Sequence, residues 1–140
     1  MSKTHHGITY PKGFKASGTT CGIKASGSPD LTLIVADGPC TAAGVFTVNQ
    51  LPSAPVLLGR KHLRGGTARV IICNSGNANA STGKLGERNA LTMCQAVAAQ
   101  VGCKTSDVLV SSTGIIGRQL PMEKIERGIA VAVSKLSRGK

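Results

Sequence analysis

The chain has almost no aromatic side chains: no tryptophan, one tyrosine and two phenylalanines in 140 residues. Proteins that hold single-stranded nucleic acid stack bases on aromatic rings. That mode of binding is therefore not expected, in spite of a net charge of +11. Acids are also scarce, six against 17 lysines and arginines, and no two are placed as a pair for acid–base work. No apolar run reaches the length that spans a bilayer. The opening stretch MSKTHHGITYPKGF has no apolar segment, so no secretory signal is expected there and the cytoplasm is the default location. The cysteines at 21, 40, 73, 94 and 103 are odd in number and never spaced C-x-x-C, which speaks against a disulfide frame or a zinc site. They read as small buried thiols. The paired His5 and His6 have no carboxylate nearby, and His62, beside Arg60, Lys61 and Arg64, reads as part of a charged helix face. No metal or cofactor is expected.

What remains is a core of valine, isoleucine, leucine and alanine, with 41% of residues hydrophobic and 18 glycines. A chain of this length fits one domain, with residues 1–6 and 137–140 as loose ends. GTTCGIK (18–24), LTLIVAD (31–37), AAGVFTVN (42–49), ARVIICNSG (68–76) and DVLVSSTG (107–114) read as strands, the second stopped by Asp37-Gly38. Residues 54–64 read as strand then helix. Val70 to Cys73 are continuously apolar, the pattern of a strand covered on both faces. A helix is expected from Leu85 to Val101, with Ala90, Cys94, Val97 and Val101 on one face and Gly102 ending it. A second runs over 121–136, opened by Pro121 and burying Met122, Ile125, Ile129, Val133 and Leu136. Glu123 and Arg127 form an i,i+4 pair on its outside. Strand–loop–helix units in succession indicate an α/β fold.

Two loops invite a chemical reading. CNSGNANASTGKLGERNA (73–90) resembles a phosphate-binding loop in composition. That loop needs G-x-x-x-x-G-K-[ST], but here Leu85 follows Gly83-Lys84 and Ala78 stands where the first glycine belongs. The reading that survives is a tight strand-to-helix connection in which Asn74, Asn77 and Asn79 satisfy backbone groups. Ser111-Ser112-Thr113-Gly114 reads as a small-residue turn after a strand. No histidine is placed to activate a nucleophile there. An amide N–H and a hydroxyl directed at one developing oxyanion is the alternative to an ordinary turn.

GIK (22–24), D-x-x-L-I-V (30–35), AAGVFTVNQLPSAPV (42–56), NSGNANASTG (74–83) and SSTGIIGRQLPMEKI (111–125) together resemble the N-terminal part of the bifunctional ornithine acetyltransferase/glutamate N-acetyltransferase family of arginine biosynthesis. The resemblance runs from Gly7 to Ile129. It implies an αββα sandwich like that of N-terminal-nucleophile enzymes, of which this chain is an incomplete α-chain part. It implies a precursor that cuts itself before a threonine, which becomes the nucleophile at the start of a β chain. Acetyl then passes from N-acetylornithine to glutamate, with acetyl-CoA as a further donor in some members. Thr113 and Gly114 fall on the family's oxyanion pair. The cleavage motif and the nucleophilic threonine do not occur in these 140 residues. The implied partner is therefore a β chain with N-terminal threonine, in a heterodimer or heterotetramer. The competing readings are an inactive remnant and a basic nucleic-acid-binding or scaffold protein reusing the fold. An acetyltransferase part should lose turnover, but not assembly, when Gly114→Pro removes the amide.

Overall fold

The computed structural model describes residues 7–138; His5 and His6 lie outside them. Four strands form one sheet in the order β1-β2-β3-β4: β1 (Phe14–Thr19), β2 (Leu31–Thr41), β3 (Thr67–Asn77) and β4 (Val108–Ile115). The β1–β2 and β2–β3 pairs are antiparallel, whereas β3 and β4 run parallel. Parallel neighbours need a crossover, supplied by α2 (Gly83–Val101). The other helices are α1 (Ala54–His62) and α3 (Met122–Ser134).

Alternation along the strands separates two faces. Leu31, Leu33 and Val35 of β2, Val70, Ile72 and Asn74 of β3, and Val108 and Val110 of β4 are buried under the helices. Against them lie Ala90, Met93, Cys94 and Val97 of α2 and Ile125, Ile129 and Ala132 of α3. Burying each large apolar side chain contributes about 1.5–3 kcal/mol. Among the described residues no helix covers the opposite sheet face. Ile71 is 41% exposed, and Ile34, Cys73 and Leu109 are only half-buried. The expectation that β3 is covered on both faces is thus met on one face only within this chain.

Several boundaries differ from the sequence reading. The first strand lies at 14–19 rather than 18–24, because residues 21–24 wrap around Asp30. β2 does not stop at Asp37-Gly38 but continues to Thr41 through an irregularity between Val35 and Cys40. Residues 42–49 form no strand, and Val45 is fully exposed. Their β-propensity describes fit to a pleated surface and cannot create a partner edge. Residues 54–62 are helical throughout, Pro55 occupying the first turn where its missing N–H costs nothing. The helix of 85–101 begins two residues earlier and ends at Gly102 as expected. Pro121 precedes α3 rather than opening it, and Gly128 and Ala132 share its buried stripe with Ile125 and Ile129, Val133 being half-buried. Glu123 and Arg127 do not form an ion pair among the described residues. Of the stretch read as a loose end, Ser137 bridges Ala16, and the Arg138 guanidinium meets Asp37 at 2.9 Å.

Candidate functional site

The C-terminal ends of β3 and β4 come together at one end of the sheet, with Ser75 beside Thr113, Gly76 beside Gly114 and Asn77 beside Ile115. In open α/β sheets this is the end where ligands bind. The 111–114 segment is therefore strand, not the turn expected of it. By strand parity, Ser75 and Thr113 face the uncovered side, on the same side as Ile71 and Leu109. Asn74 and Ser112 face the helices. Thr113 and Gly114 are both exposed, and the Thr113 hydroxyl has no hydrogen-bond partner among the described residues.

Gly114 is required for two reasons. Its φ is +129°, a region that side-chain-bearing residues rarely adopt. A Cβ there would also stand 2.3 Å from the Gly76 carbonyl carbon and 2.5 Å from the Asn77 nitrogen. Gly114→Pro cannot therefore remove one amide and leave the rest intact, because proline fixes φ near −65°. Gly114→Ala is expected to separate the ends of β3 and β4. The readout is amide hydrogen exchange at Ser75–Asn77, which should rise at least tenfold while the Val70–Ile72 amides stay protected.

The site's other wall is built around Asp30, buried to 3% exposure. Its Oδ1 accepts from the Cys21 N–H at 2.6 Å, and its Oδ2 from the N–H groups of Gly22, Ile23 and Lys24 at 3.1, 2.7 and 3.0 Å. Burial pulls the carboxyl pKa upward, but these donors outweigh it and hold the group below its usual range. The loop so formed sets Ile23 and Lys24 against Gly76, next to Gly114. The Asp30 backbone carbonyl also accepts the Ser75 N–H at 2.8 Å. Sequence reading missed this anchor. The available signal was an isolated acid in an acid-poor chain, following a glycine- and serine-rich stretch and opening a strand.

The NSGNANASTG segment behaves as a scaffold. Lys84 is exposed and meets Glu87 at 3.3 Å rather than folding over the loop, so the rejected phosphate-loop reading stays rejected. His62 is not simply a charged face: its Nδ1–H donates to the Val108 carbonyl at 2.7 Å. The five cysteines are free, but only Cys94 is fully buried, and burial pushes its thiol up to about 12. Cys21 rises to about 12 through burial and the neighbouring Asp30 carboxylate. No metal-binding cluster occurs among the described residues, and no helix among them is long and apolar enough to cross a membrane.

This is one sheet and one helix layer of an αββα sandwich of the N-terminal-nucleophile type. In three dimensions it resembles the ornithine acetyltransferase of Mycobacterium tuberculosis, solved with ornithine: TM-score 0.93, 44% identity, 96% of this chain and 72% of that one. The Bacillus halodurans arginine biosynthesis bifunctional protein ArgJ superposes with a TM-score of 0.84 at 39% identity, over 87% of this chain and 64% of that one. The ArgJ family profile matches residues 15–140, and the chain belongs to that family. The bifunctional ArgJ protein of Rhodopirellula baltica is 52% identical over 126 residues, 90% of this chain and 31% of the relative. That of Mycobacterium leprae is 48% identical over 139 residues, 95% of this chain and 34% of the relative. The chain thus spans about a third of the length of these curated relatives.

Proposed function

We propose that this chain is the oxyanion-stabilising part of an acetyltransferase that moves acetyl from N-acetylornithine to glutamate in arginine biosynthesis. The nucleophile is the N-terminal threonine of a β chain docked on the uncovered sheet face. Its hydroxyl attacks the amide carbonyl of N-acetylornithine, with its own α-amino group accepting the proton. The carbonyl oxygen becomes an oxyanion, which the Gly114 N–H and the Thr113 hydroxyl stabilise. Collapse breaks the C–N bond, the proton returns to the leaving amine, and ornithine departs. The amine of glutamate then attacks the threonine ester, giving N-acetylglutamate and the free enzyme. The reaction needs no cofactor, and acetyl-CoA would enter as an alternative donor to the same ester.

The observation that carries this reading is the position of Thr113. Thr113 is exposed and, among the described residues, its hydroxyl has no partner; it lies on the sheet face that no helix among those residues covers, beside an exposed Gly114. The apolar side chains Ile71, Val45, Val48 and Leu51 are exposed too, at 41, 101, 96 and 86%, and offer area for a second layer to bury. The net charge of +11 suits an acidic partner chain and a substrate carboxylate alike.

Native mass spectrometry of the protein purified from its own cells tests the assignment. The expected result is a complex containing a second polypeptide with threonine at its N-terminus. A lone chain, or a homo-oligomer of it, would leave no nucleophile and refute the enzyme reading.

A further inference from the structure

Residues 115–119 bury no side chain of their own, and the chain re-enters the core only at Leu120, 5% exposed. Ile115 and Ile116 are 56% and 66% exposed, and Gly117, Arg118 and Gln119 are exposed as well. What fixes them is a set of polar bonds to the segment after β3. The Ala78 N–H donates to the Ile115 carbonyl at 3.0 Å and the Gly117 N–H to the Ala80 carbonyl at 2.8 Å. The Asn77 amide donates to the Gln119 carbonyl at 3.0 Å, and the Gln119 amide donates to the Thr82 carbonyl at 2.9 Å.

These bonds rest on three asparagines that are almost wholly buried: Asn74 at 0%, Asn77 at 2% and Asn79 at 0% exposure. Asn74 donates to the Asn77 carbonyl at 2.8 Å. The Asn77 Oδ1 accepts the Asn79 N–H at 3.2 Å. Asn79 in turn donates to the Gly86 carbonyl in the first turn of α2 at 2.9 Å and accepts from the Thr82 hydroxyl at 2.8 Å. Asn79 and Ser81 adopt left-handed φ values of 47° and 55°. Such backbone persists only where its surroundings over-determine it. A loop that merely joined a strand to a helix would satisfy its amides locally. Here Asn77 spends its amide on the segment beyond Gly114.

The network continues under the site itself. The Asn74 Oδ1 and the Ser112 Oγ are buried without partners, on residues in register across β3 and β4. One is an acceptor and the other a potential donor. Ser112 immediately precedes Thr113.

We propose that this asparagine network, with Asn77 at its centre, is the positioning device that holds Thr113 and Gly114 in the geometry that receives the carbonyl oxygen. The proposal rests on the oxyanion reading above. Asn77 is a positioning residue, acting through Gln119 and the end of β4.

The test is a double-mutant cycle in the complete enzyme, with Asn77→Asp and Thr113→Val. Asn77→Asp keeps the acceptor for Asn79 but replaces the donor to the Gln119 carbonyl by an oxygen. The expected result is a fall in kcat of roughly 30–100-fold, as for a misplacement of reacting groups by about an ångström, with KM for both substrates within about twofold. In the Thr113→Val background the same change should cost only about 3–10-fold, because one of the two donors it positions is already gone. Gln119→Met, at an exposed position, removes one bond of the network and should lower kcat roughly tenfold with the same dependence on Thr113. It decides alone if Asn77→Asp does not fold. Normal kcat in Asn77→Asp and Gln119→Met, or losses that multiply in full with that of Thr113→Val, would overturn the positioning role. If Thr113→Val itself leaves kcat unchanged, the oxyanion reading fails instead, so the two failures are told apart.

Discussion

Thr113→Val in the complete enzyme is expected to lower kcat by about 10²–10³-fold, the cost of deleting one oxyanion donor, and to leave KM for N-acetylornithine within about twofold. Valine keeps the shape and β-branching that suit a strand, and the side chain is exposed, so folding has little to lose. What disappears is a hydroxyl with no other partner among the described residues. An interaction made only as charge develops on the carbonyl oxygen lowers kcat and kcat/KM together. Thr113→Ser keeps the hydroxyl and should retain activity within about tenfold. A Thr113→Val enzyme with ordinary turnover would remove the hydroxyl from the mechanism.

The second large effect concerns stability. Asp30→Ala deletes the acceptor of four backbone N–H groups. Hydrogen bonds to a charged group contribute about 1.5–3 kcal/mol each. The 21–24 loop is half-exposed, so water replaces part of them, and the expected loss is about 3–4 kcal/mol. Asp30→Asn keeps an oxygen at the Oδ2 position, which serves three of the four donors, and should cost about 1–2 kcal/mol. Acid unfolding provides an independent check. The carboxyl is held below its usual range in the folded protein, so its ionised form favours folding. That contribution is complete above the unfolded-state value of about 3.9 and is lost as pH falls through the folded-state value. The wild-type melting temperature should therefore drop below about pH 4 with a component that Asp30→Asn abolishes. Parallel pH profiles for the two proteins would show that the carboxylate is not the anchor.

Much of this was legible from local pattern. The continuous run Val70–Cys73, the stripe Ala90, Cys94, Val97 and the small-residue end of 107–114 each identify an element, since alternation and 3.6-residue periodicity are properties of neighbours in the chain. Asn74, Asn77 and Asn79 were recognisable as groups that satisfy backbone, although not that Asn77 reaches Gln119. Residues 42–49 misled for the same reason that the others succeeded: an apolar, β-branched run signals a surface to be buried, but among the described residues no strand pairs with it.

The sequence alone determined the α/β class, the resemblance to an acetyltransferase family, the rejection of a nucleotide cradle and the candidacy of Thr113 and Gly114. The class and the rejected cradle follow from residue types at fixed short spacings, whereas Thr113 and Gly114 became candidates through the family resemblance, local chemistry by itself favouring an ordinary turn. Only the tertiary structure decided that β3 and β4 pair in parallel, bringing Gly76 against Gly114. It alone placed Thr113 on the open face, folded residues 21–24 around Asp30, and let Asn77 fasten the chain beyond Gly114. The physical reason is separation along the chain: Asn77 and Gln119 lie 42 residues apart. Bonds between groups so distant depend on how the sheet and helices pack, which no local pattern encodes.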